Sequence, residues 1–308
     1  MKDNHEYPEH SFRAGYVAII GEPNVGKSTL LNTLVGEKIS IVTPKPQTTR
    51  HKVLGILSEK QAQIIFLDTP GILKPQYKLH EAMMKSVHAA INDADVLFFM
   101  IDVAKVKPGT QIDQVAEFRS FVTVTKPVFL ILNKIDLASK QDVASTIAMC
   151  SSMYPFKEIF PISALKQEGT EDLIETVIRE LPEHQPFYPP DMISEHPERF
   201  FVSEIIREKI FKQFRDEIPY STTVDIISFQ EQAGRKDLIN AEIYVERDSQ
   251  KGILIGKQGK AMKEIGQLAR KDIEAFLGRP VFLELHVKVR EKWRQKESWL
   301  KKLGYTPS

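Results

Sequence analysis

Residues 21–28 of this 308-residue chain read GEPNVGKS, and they constrain the fold more than any other feature of the sequence. The segment matches the pattern G-x-x-x-x-G-K-[ST]. It follows the apolar run GYVAII and precedes KSTLLNTLV, whose apolar spacing is typical of a helix. A glycine-rich turn between a strand and a helix is the setting in which this pattern binds phosphate. The sequence therefore predicts a strand, a phosphate-binding loop and a helix near its start.

The residues of this loop have distinct predicted roles. Backbone N–H groups surround the phosphates, Lys27 reaches the β- and γ-phosphate oxygens, and the Ser28 hydroxyl ligates Mg²⁺. The two glycines let the backbone approach the phosphates closely. In this part of the chain we predict seven nucleotide-binding residues, which are Gly21, Asn24, Val25, Gly26, Lys27, Ser28 and Thr29.

Apolar runs and amphipathic helical patterns alternate through the first 180 residues. After GYVAII come QIIFLD, VLFFMID, PVFLILN and EIFPIS, each followed by a helical pattern, which is polar after VLFFMID. This alternation predicts an α/β domain with a mostly parallel sheet, and ligands bind at the carboxyl ends of the strands in such sheets.

Two further strand ends carry residues that suit a guanine nucleotide. Asp68 starts the segment Asp-Thr-Pro-Gly, where its carboxylate can hold the Mg²⁺ shell through water and the Gly71 N–H can reach a γ-phosphate. The run PVFLILN leads into Asn133, Lys134 and Asp136, and that aspartate can accept hydrogen bonds from guanine N1–H and the exocyclic amine. Adenine offers no matching pair of donors. The turn after the last strand places a backbone N–H near guanine O6, and it contains Ser163, Ala164 and Leu165.

Five of the 18 prolines fall between residues 182 and 197, where they prevent a long helix or a central strand. We therefore predict a flexible N-terminal tail (1–13), a nucleotide-binding domain (14–182), a proline-rich linker (183–200) and a second domain (201–308). The charge changes across this linker. Residues 1–200 carry 21 Lys+Arg against 25 Asp+Glu, whereas residues 201–308 carry 21 against 16. A basic second domain indicates an anionic partner or a solvated basic surface.

The second domain has a different order of elements. A helix (203–215), two strands (222–230 and 240–246), a long helix (260–277) and a final strand (281–287) predict a smaller α+β module of the type II KH class. In KH folds a G-x-x-G loop before a helix clamps the RNA backbone. The predicted RNA-binding residues are this loop and nearby lysines: Gly256, Lys257, Gln258, Gly259, Lys260 and Lys263.

The last basic residues alternate at a spacing of two, at Lys288, Arg290, Lys292, Arg294 and Lys296. They predict one charged face of the final strand running into a helix, either as an RNA flank or as a solvated surface. We expect Trp293 and Trp299 to be packing anchors.

No apolar run approaches the roughly 20 residues of a membrane-spanning helix. The first thirteen residues are polar and lack a secretion signal, which predicts a cytoplasmic protein. The single cysteine, Cys150, lies among apolar residues, and we expect a small buried side chain without chemistry.

From about residue 15 to residue 305 the chain resembles the bacterial Era family of GTPases. The resemblance implies a Mg²⁺ and γ-phosphate role for a threonine in the segment QTTRH, which we assign to Thr49 with Thr48 as the alternative. The family loop has arginine where this chain has Glu22, a side chain that we expect to face solvent. The resemblance also implies that the chain binds GTP and GDP with Mg²⁺ and hydrolyses GTP.

Ile72 stands where Ras-like enzymes have the glutamine that orients the attacking water, so slow intrinsic turnover is expected. In similar GTPases the loop asparagine, here Asn24, helps to hold a K⁺ ion, although it can instead brace the loop. The residues expected to act in hydrolysis are Lys27, Asn24, Thr49 and Gly71.

The same resemblance implies single-stranded small-subunit ribosomal RNA near its 3′ end as ligand, and the small ribosomal subunit as partner. We expect a monomer in the cytoplasm, or one associated peripherally with the inner face of the cell membrane. A competing hypothesis is a signalling GTPase whose basic domain docks on a protein or an anionic membrane. An ATP-driven RNA remodeller is disfavoured by Asp136.

Overall fold

The structure is a computed structural model that describes residues 12–106 and 125–305. These residues form two compact units. The first contains residues 12–40, 52–73 and the described part of 84–195, and the second contains 41–51, 74–83 and 196–305. Nearly all of the predicted N-terminal tail, and the polar helix predicted after VLFFMID, lie outside the described residues.

A six-stranded sheet in the order β2-β3-β1-β4-β5-β6 forms the first unit. Only β2 and β3 pair antiparallel, because a short turn joins them, and the other neighbours are parallel. This confirms the predicted α/β fold, although β2 was not recognised from the sequence. The strands are β1 (Arg13–Gly21), β2 (Val53–Ser58), β3 (Ala62–Asp68), β4 (Val96–Asp102), β5 (Val128–Asn133) and β6 (Glu158–Ile162).

Every residue of β3, β4 and β5 is buried, as expected for strands covered on both faces. The helices of this part of the chain are α1 (Lys27–Val35), α2 (Lys78–Asp93), α3 (Lys140–Met153) and α4 (Thr170–Glu180). Residues 78–83 of α2 belong to the second unit. Cys150 on α3 is fully buried, which confirms the predicted burial, and burial raises the pKa of its thiol to about 11.

The site lies where the strand order reverses, since β1 sits between β3 and β4. At such a switch point the carboxyl ends of neighbouring strands leave a crevice for a ligand. Gly21, Asp68, Asp102 and Asn133 end four neighbouring strands at this edge.

Much of the predicted linker is hydrogen-bonded to the first unit. Ile56 N–H of the edge strand β2 donates to the Ile193 carbonyl (2.9 Å), and Gln63 Oε1 accepts from the N–H groups of Phe187 (2.8 Å) and Tyr188 (3.0 Å). Residues 183–195 therefore pack on the first unit, with Ile193 at the free edge of β2, and the following helix begins at Glu198. The first unit therefore extends to residue 195, beyond the boundary at residue 182 that the proline-rich stretch predicts.

A three-stranded sheet in the order β7-β8-β9 carries the second unit. β7 and β8 are antiparallel, with Gly234 at a positive φ of 72° in their turn, and β8 and β9 are parallel. The order is α-α-β-β-α-α-β-α, in which the second helix is a single short turn, and it confirms the predicted type II KH module. The elements are α5 (Glu198–Gln213), α6 (Ile218–Ser221), β7 (Thr223–Gln230), β8 (Asp237–Val245), α7 (Asp248–Ile255), α8 (Lys260–Leu277), β9 (Val281–Val289) and α9 (Glu297–Lys302).

The prediction that the last basic residues form one charged face of the final strand is wrong. Of its five cations only Lys288 lies in β9, because the strand ends at Val289. Arg294 forms an ion pair with Glu246 (2.6 Å) instead of sharing a face with Lys288. Trp293 is fully buried and donates from Nε1 to the Ser221 carbonyl (2.8 Å), which confirms its role as a packing anchor. No helix in the described residues has both the length and the apolar character needed to cross a membrane.

Candidate functional site

The loop between β1 and α1 has the backbone geometry that its glycines predict. Gly21 has a φ of 150° and Gly26 a φ of 108°, values that disfavour other residues. A Cβ at Gly21 would overlap the Met100 carbonyl oxygen, and one at Gly26 would overlap the Asn133 side chain. The loop is thus closely packed against the ends of β4 and β5.

Lys27 is buried at the start of α1, with 6% of its surface exposed. Its ammonium donates to the carbonyls of Gly21 (3.0 Å) and Glu22 (2.8 Å). Burial lowers the lysine pKa to about 8, although the nearby carboxylates of Asp68 and Glu22 oppose the shift. A buried cation held inside the loop is the group expected to bind the β- and γ-phosphates.

This lysine predicts a pH dependence of nucleotide binding. Bound phosphates favour the ammonium form, so GDP binding should take up a proton near pH 8 and weaken as the pH rises. Between pH 7 and pH 8.5 we expect the GDP affinity to fall about fourfold, measured by titration with fluorescent GDP. Lys27→Arg stays charged and should show no such fall. An unchanged wild-type affinity, or an equal slope in the arginine variant, would contradict this account.

Ser28 and Asp68 meet as the predicted Mg²⁺ site requires. The Ser28 hydroxyl donates to Asp68 Oδ2 (2.7 Å), and Asp68 is fully buried. Asp68 Oδ1 is also buried and has no hydrogen-bond partner among the described residues. Burial raises the pKa of this carboxyl, opposed by Ser28, Lys27 and Ser40. Because buried carboxylate oxygens need partners, an unpartnered oxygen beside a hydroxyl fits a hydrated Mg²⁺ ion.

The protein ligands here are few, as is usual for Mg²⁺ on a nucleotide. In residues 12–106 and 125–305 no group of three or more His, Cys, Asp or Glu side chains could hold a metal ion. Mg²⁺ commonly takes one or two protein ligands and completes its shell with phosphate oxygens and water.

Asn133 connects the two turns that are predicted to contact the nucleotide. Its Nδ2 donates to the Val25 carbonyl (2.8 Å), and its Oδ1 accepts from the Ala164 N–H (2.9 Å). Asp136 is exposed and accepts from the Ser163 hydroxyl (2.6 Å), which orients its carboxylate. The structure thereby brings the predicted base-reading residues together.

Lys134 adopts a left-handed conformation (φ 69°) that directs its side chain back to the loop. Its ammonium donates to the Asn24 carbonyl (2.9 Å) and to Asp102 Oδ2 (2.6 Å). Asp102 was missed in the sequence analysis, although it ends an apolar strand as Asp68 does. It holds Lys134 in place under the nucleotide-binding loop.

Gly71 packs against the same loop. A Cβ at Gly71 would come within 2.7 Å of the Pro23 backbone nitrogen, and the Ile72 N–H donates to the Gly21 carbonyl (3.0 Å). Only glycine fits this close approach, which is consistent with a backbone N–H role at the γ-phosphate.

The predicted switch threonines belong to the second unit. The Thr48 hydroxyl donates to the Lys45 carbonyl (2.7 Å) and therefore caps a turn. Thr49 is buried, with 9% of its surface exposed. The role of Thr49 at the nucleotide stays a prediction.

The segment around these threonines is held by buried charges. The Arg50 guanidinium is 2% exposed and donates to the carbonyls of Pro219, Tyr220 and Thr222. Arg207 donates to the Thr48 carbonyl (2.5 Å) and pairs with Glu204. The contacts of Arg50 and the bond from Arg207 to Thr48 carry no local sequence signal, because they join residues more than 150 positions apart.

The G-x-x-G loop separates α7 from α8. Gly256 (φ 73°) and Gly259 (φ 74°) both have positive φ, as does Gln258 between them (φ 53°). A Cβ at Gly256 would come within 2.7 Å of the Ala261 side chain, whereas the space beside Gly259 is open for 4 Å. Lys257, Lys260 and Lys263 are exposed, and so are Ile253 and Leu268. An open, basic loop with apolar neighbours suits a nucleic-acid backbone and its bases.

Comparison with known proteins links these two sites to one family. Residues 16–134 match the family described as "50S ribosome-binding GTPase", and residues 217–294 match the "KH domain" family. The chain is 48% identical to GTPase Era of Geobacter metallireducens, over 97% of this chain and 99% of that protein. It is 47% identical to the chloroplastic GTPase ERA1 of Zea mays, over 95% of this chain and 70% of that protein.

Solved structures agree with this relationship. A variant of Aquifex aeolicus Era bound to GDP·AlF₄⁻ superposes with a TM-score of 0.91 at 41% identity, covering 96% of this chain and 100% of that one. The same TM-score, identity and coverage hold for Era in complex with MgGDPNP and nucleotides 1506–1542 of 16S ribosomal RNA. The identity extends through both the nucleotide-binding unit and the KH module, and the chain belongs to the Era family of GTPases.

Proposed function

We propose that this protein hydrolyses GTP and binds single-stranded small-subunit ribosomal RNA near its 3′ end during assembly of the small ribosomal subunit. The observation that carries the proposal is the presence of a guanine-nucleotide site and an open KH loop on one chain, with Era-like sequence over 97% of its length. The family description that names the 50S subunit matches only residues 16–134. The Era structure containing 16S ribosomal RNA resembles 96% of the chain, so it is the better guide to the RNA.

In the nucleotide site each group has a separate role. Lys27 and the loop N–H groups hold the phosphates, and Asp136 reads guanine. Ser28 and Asp68 hold the Mg²⁺ ion, with Thr49 as the switch residue that joins it. Mg²⁺ supplies charge neutralisation on the β- and γ-phosphates when it is bound. Ile72 has no polar side-chain group to orient water, and this supports slow intrinsic hydrolysis.

We further propose that Asn24 supports a K⁺ ion that assists hydrolysis. Asn24 has a left-handed backbone (φ 66°), which presents the residue at the turn of the loop. Replacing K⁺ by Na⁺ should lower the hydrolysis rate of the wild-type protein. In K⁺, Asn24→Ala should slow hydrolysis far more than Ile72→Ala, because only asparagine has a polar side chain to contribute. Steady-state phosphate release measures both effects. Equal rates in the two salts would exclude this use of K⁺.

We propose a monomer located in the cytoplasm, with peripheral association at the inner face of the cell membrane as the alternative. The exposed lysines of the KH module could contact either RNA or anionic lipid. The open space beside Gly259 and the close packing of Gly256 support RNA, because a KH loop binds a phosphate backbone at short range.

The discriminating experiment compares two ligands in the intact protein. One is fluorescent single-stranded RNA with the 3′-terminal sequence of small-subunit ribosomal RNA, and the other is a vesicle with phosphatidylserine. We expect saturable RNA binding that weakens with salt and tolerates competition by vesicles. Binding to vesicles with no binding to RNA would contradict the proposal and support a membrane-docking GTPase.

A further inference from the structure

Asp68 accepts a hydrogen bond from a second hydroxyl, that of Ser40, which belongs to no nucleotide-binding motif. The Ser40 hydroxyl donates to Asp68 Oδ2 (2.8 Å), the same oxygen that accepts from Ser28 (2.7 Å). Ser40 is buried, with 3% of its surface exposed. Two donors on Oδ2 fix the carboxylate plane and leave Oδ1 as the oxygen without a described hydrogen-bond partner.

Ser40 is itself held by the helix that follows the phosphate-binding loop. Asn32 Oδ1 accepts from the Ser40 N–H (2.8 Å) and from the Ile39 N–H (3.0 Å), while its Nδ2 donates to the Ser40 carbonyl (2.7 Å). Three hydrogen bonds to one side chain restrain both the position and the orientation of the Ser40 backbone.

The two supports of Asp68 therefore come from one face of α1. Ser28 and Asn32 are four residues apart, and such residues lie above one another on a helix. Ser28 contacts the carboxylate directly, whereas Asn32 acts on it through Ser40. These hydrogen bonds therefore hold the Asp68 carboxylate in a fixed position relative to α1, the helix that also contains the predicted Mg²⁺ ligand Ser28.

We propose that Ser40 is a positioning residue of the Mg²⁺ site, which keeps Asp68 Oδ1 directed toward the hydration shell of the ion. The inference rests on the Mg²⁺-dependent nucleotide binding in the proposed function. Groups that orient a metal-binding carboxylate typically change metal affinity by about 10- to 100-fold when they are removed. Replacing Ser40 should therefore change the affinity for Mg²⁺ more than it changes the affinity for the nucleotide in the absence of Mg²⁺.

The test measures release of fluorescent GDP from the full-length protein over a Mg²⁺ titration. For Ser40→Ala we expect the Mg²⁺ concentration that gives half-maximal slowing of release to rise about tenfold. In EDTA the variant and the wild type should release GDP at the same rate. Thr146→Val removes another buried hydroxyl, which donates to the Asp142 carbonyl in α3 (2.7 Å), and should leave the midpoint unchanged.

A second variant tests the role of Asn32. Asn32→Ala should raise the Mg²⁺ midpoint in the same direction, and Asn32→Ala/Ser40→Ala should resemble Ser40→Ala alone, because one residue acts through the other. An unchanged midpoint in Ser40→Ala, or faster release by the same factor with and without Mg²⁺, would overturn the positioning role. A wild-type release rate that is insensitive to Mg²⁺ would instead refute the Mg²⁺ part of the proposed function, and the inference with it.

Discussion

Asp136→Asn should move nucleotide preference from GTP to xanthosine triphosphate. The carboxylate accepts from two guanine donors, whereas an asparagine amide can donate to the oxygen that xanthine carries in place of the amine. The amide keeps one acceptor oxygen but turns a donor toward the guanine amine, so at least one hydrogen bond to a charged group, worth about 1.5–3 kcal/mol, is lost and GTP binding should weaken at least about tenfold. Ser163 can still donate to the asparagine oxygen, so the side chain should keep its orientation.

The measurement is competition between GTP and xanthosine triphosphate for fluorescent nucleotide bound to each protein. Asp142→Asn is a matched control, since Asp142 is a half-buried aspartate at the start of α3 whose carboxylate accepts from the Ser139 hydroxyl. It should bind GTP as the wild type does. If Asp136→Asn also binds GTP normally, Asp136 does not read the base.

Gly259→Asp should reduce RNA affinity at least about tenfold while the protein stays folded. The space beside Gly259 is open, so the steric cost is small, and the positive φ of 74° costs about 1–2 kcal/mol for a residue with a Cβ. The new carboxylate would face the RNA phosphates at the point where the KH loop approaches them. Its repulsion should lower affinity for all single-stranded RNA sequences.

Gly278→Asp provides a control with the same charge and nearly the same backbone strain. Gly278 directly follows α8 at its C-terminal end, has a φ of 66° and is surrounded by open space. An 18-residue helix separates the two positions by about 27 Å. Fluorescence anisotropy should show a loss for Gly259→Asp only. Equal losses in both variants would show that net charge, and not the loop, governs RNA binding.

Local sequence patterns were sufficient to predict most elements of the fold. The phosphate-binding loop, α1 and β4 have the bounds that their sequence patterns predict, because glycine spacing and continuous apolar runs act over a few residues. The helix α8 also begins at Lys260, directly after the G-x-x-G loop. In these elements the local preference and the tertiary fold agree.

Local sequence patterns did not predict three other elements, or placed their bounds incorrectly. The strand β2 (VLGILS) is interrupted by Gly55, and glycine inside a strand weakens its apolar pattern. The helix α7 contains Gly252 and the β-branched Ile253 and Ile255, which have weak helix propensity. The helix α5 begins five residues before the predicted Ser203, directly after Pro197, which suits a helix start.

The candidate site shows the same division. Motif residues end their strands where expected, but Ser40, Asn32 and Asp102 act through hydrogen bonds between distant segments. The placement of residues 41–51 in the second unit depends on buried contacts of Arg50 and Arg207. Contacts of this kind carry no local signal, because either partner alone is an ordinary polar residue.

We propose that GTP binding at the first domain controls RNA binding by the KH module, and measuring RNA affinity in two nucleotide states tests this most directly. We expect residues 43–51 and 69–80 to be the two switch segments that contact the γ-phosphate, so the two states should differ in RNA affinity by about fivefold or more. Linkage requires RNA to change the affinity for the GTP analogue relative to GDP by the same factor. We predict this difference between GDP and a non-hydrolysable GTP analogue, and its loss in Thr49→Ala. Identical RNA affinities in both states would mean that the two domains act independently and would contradict the account.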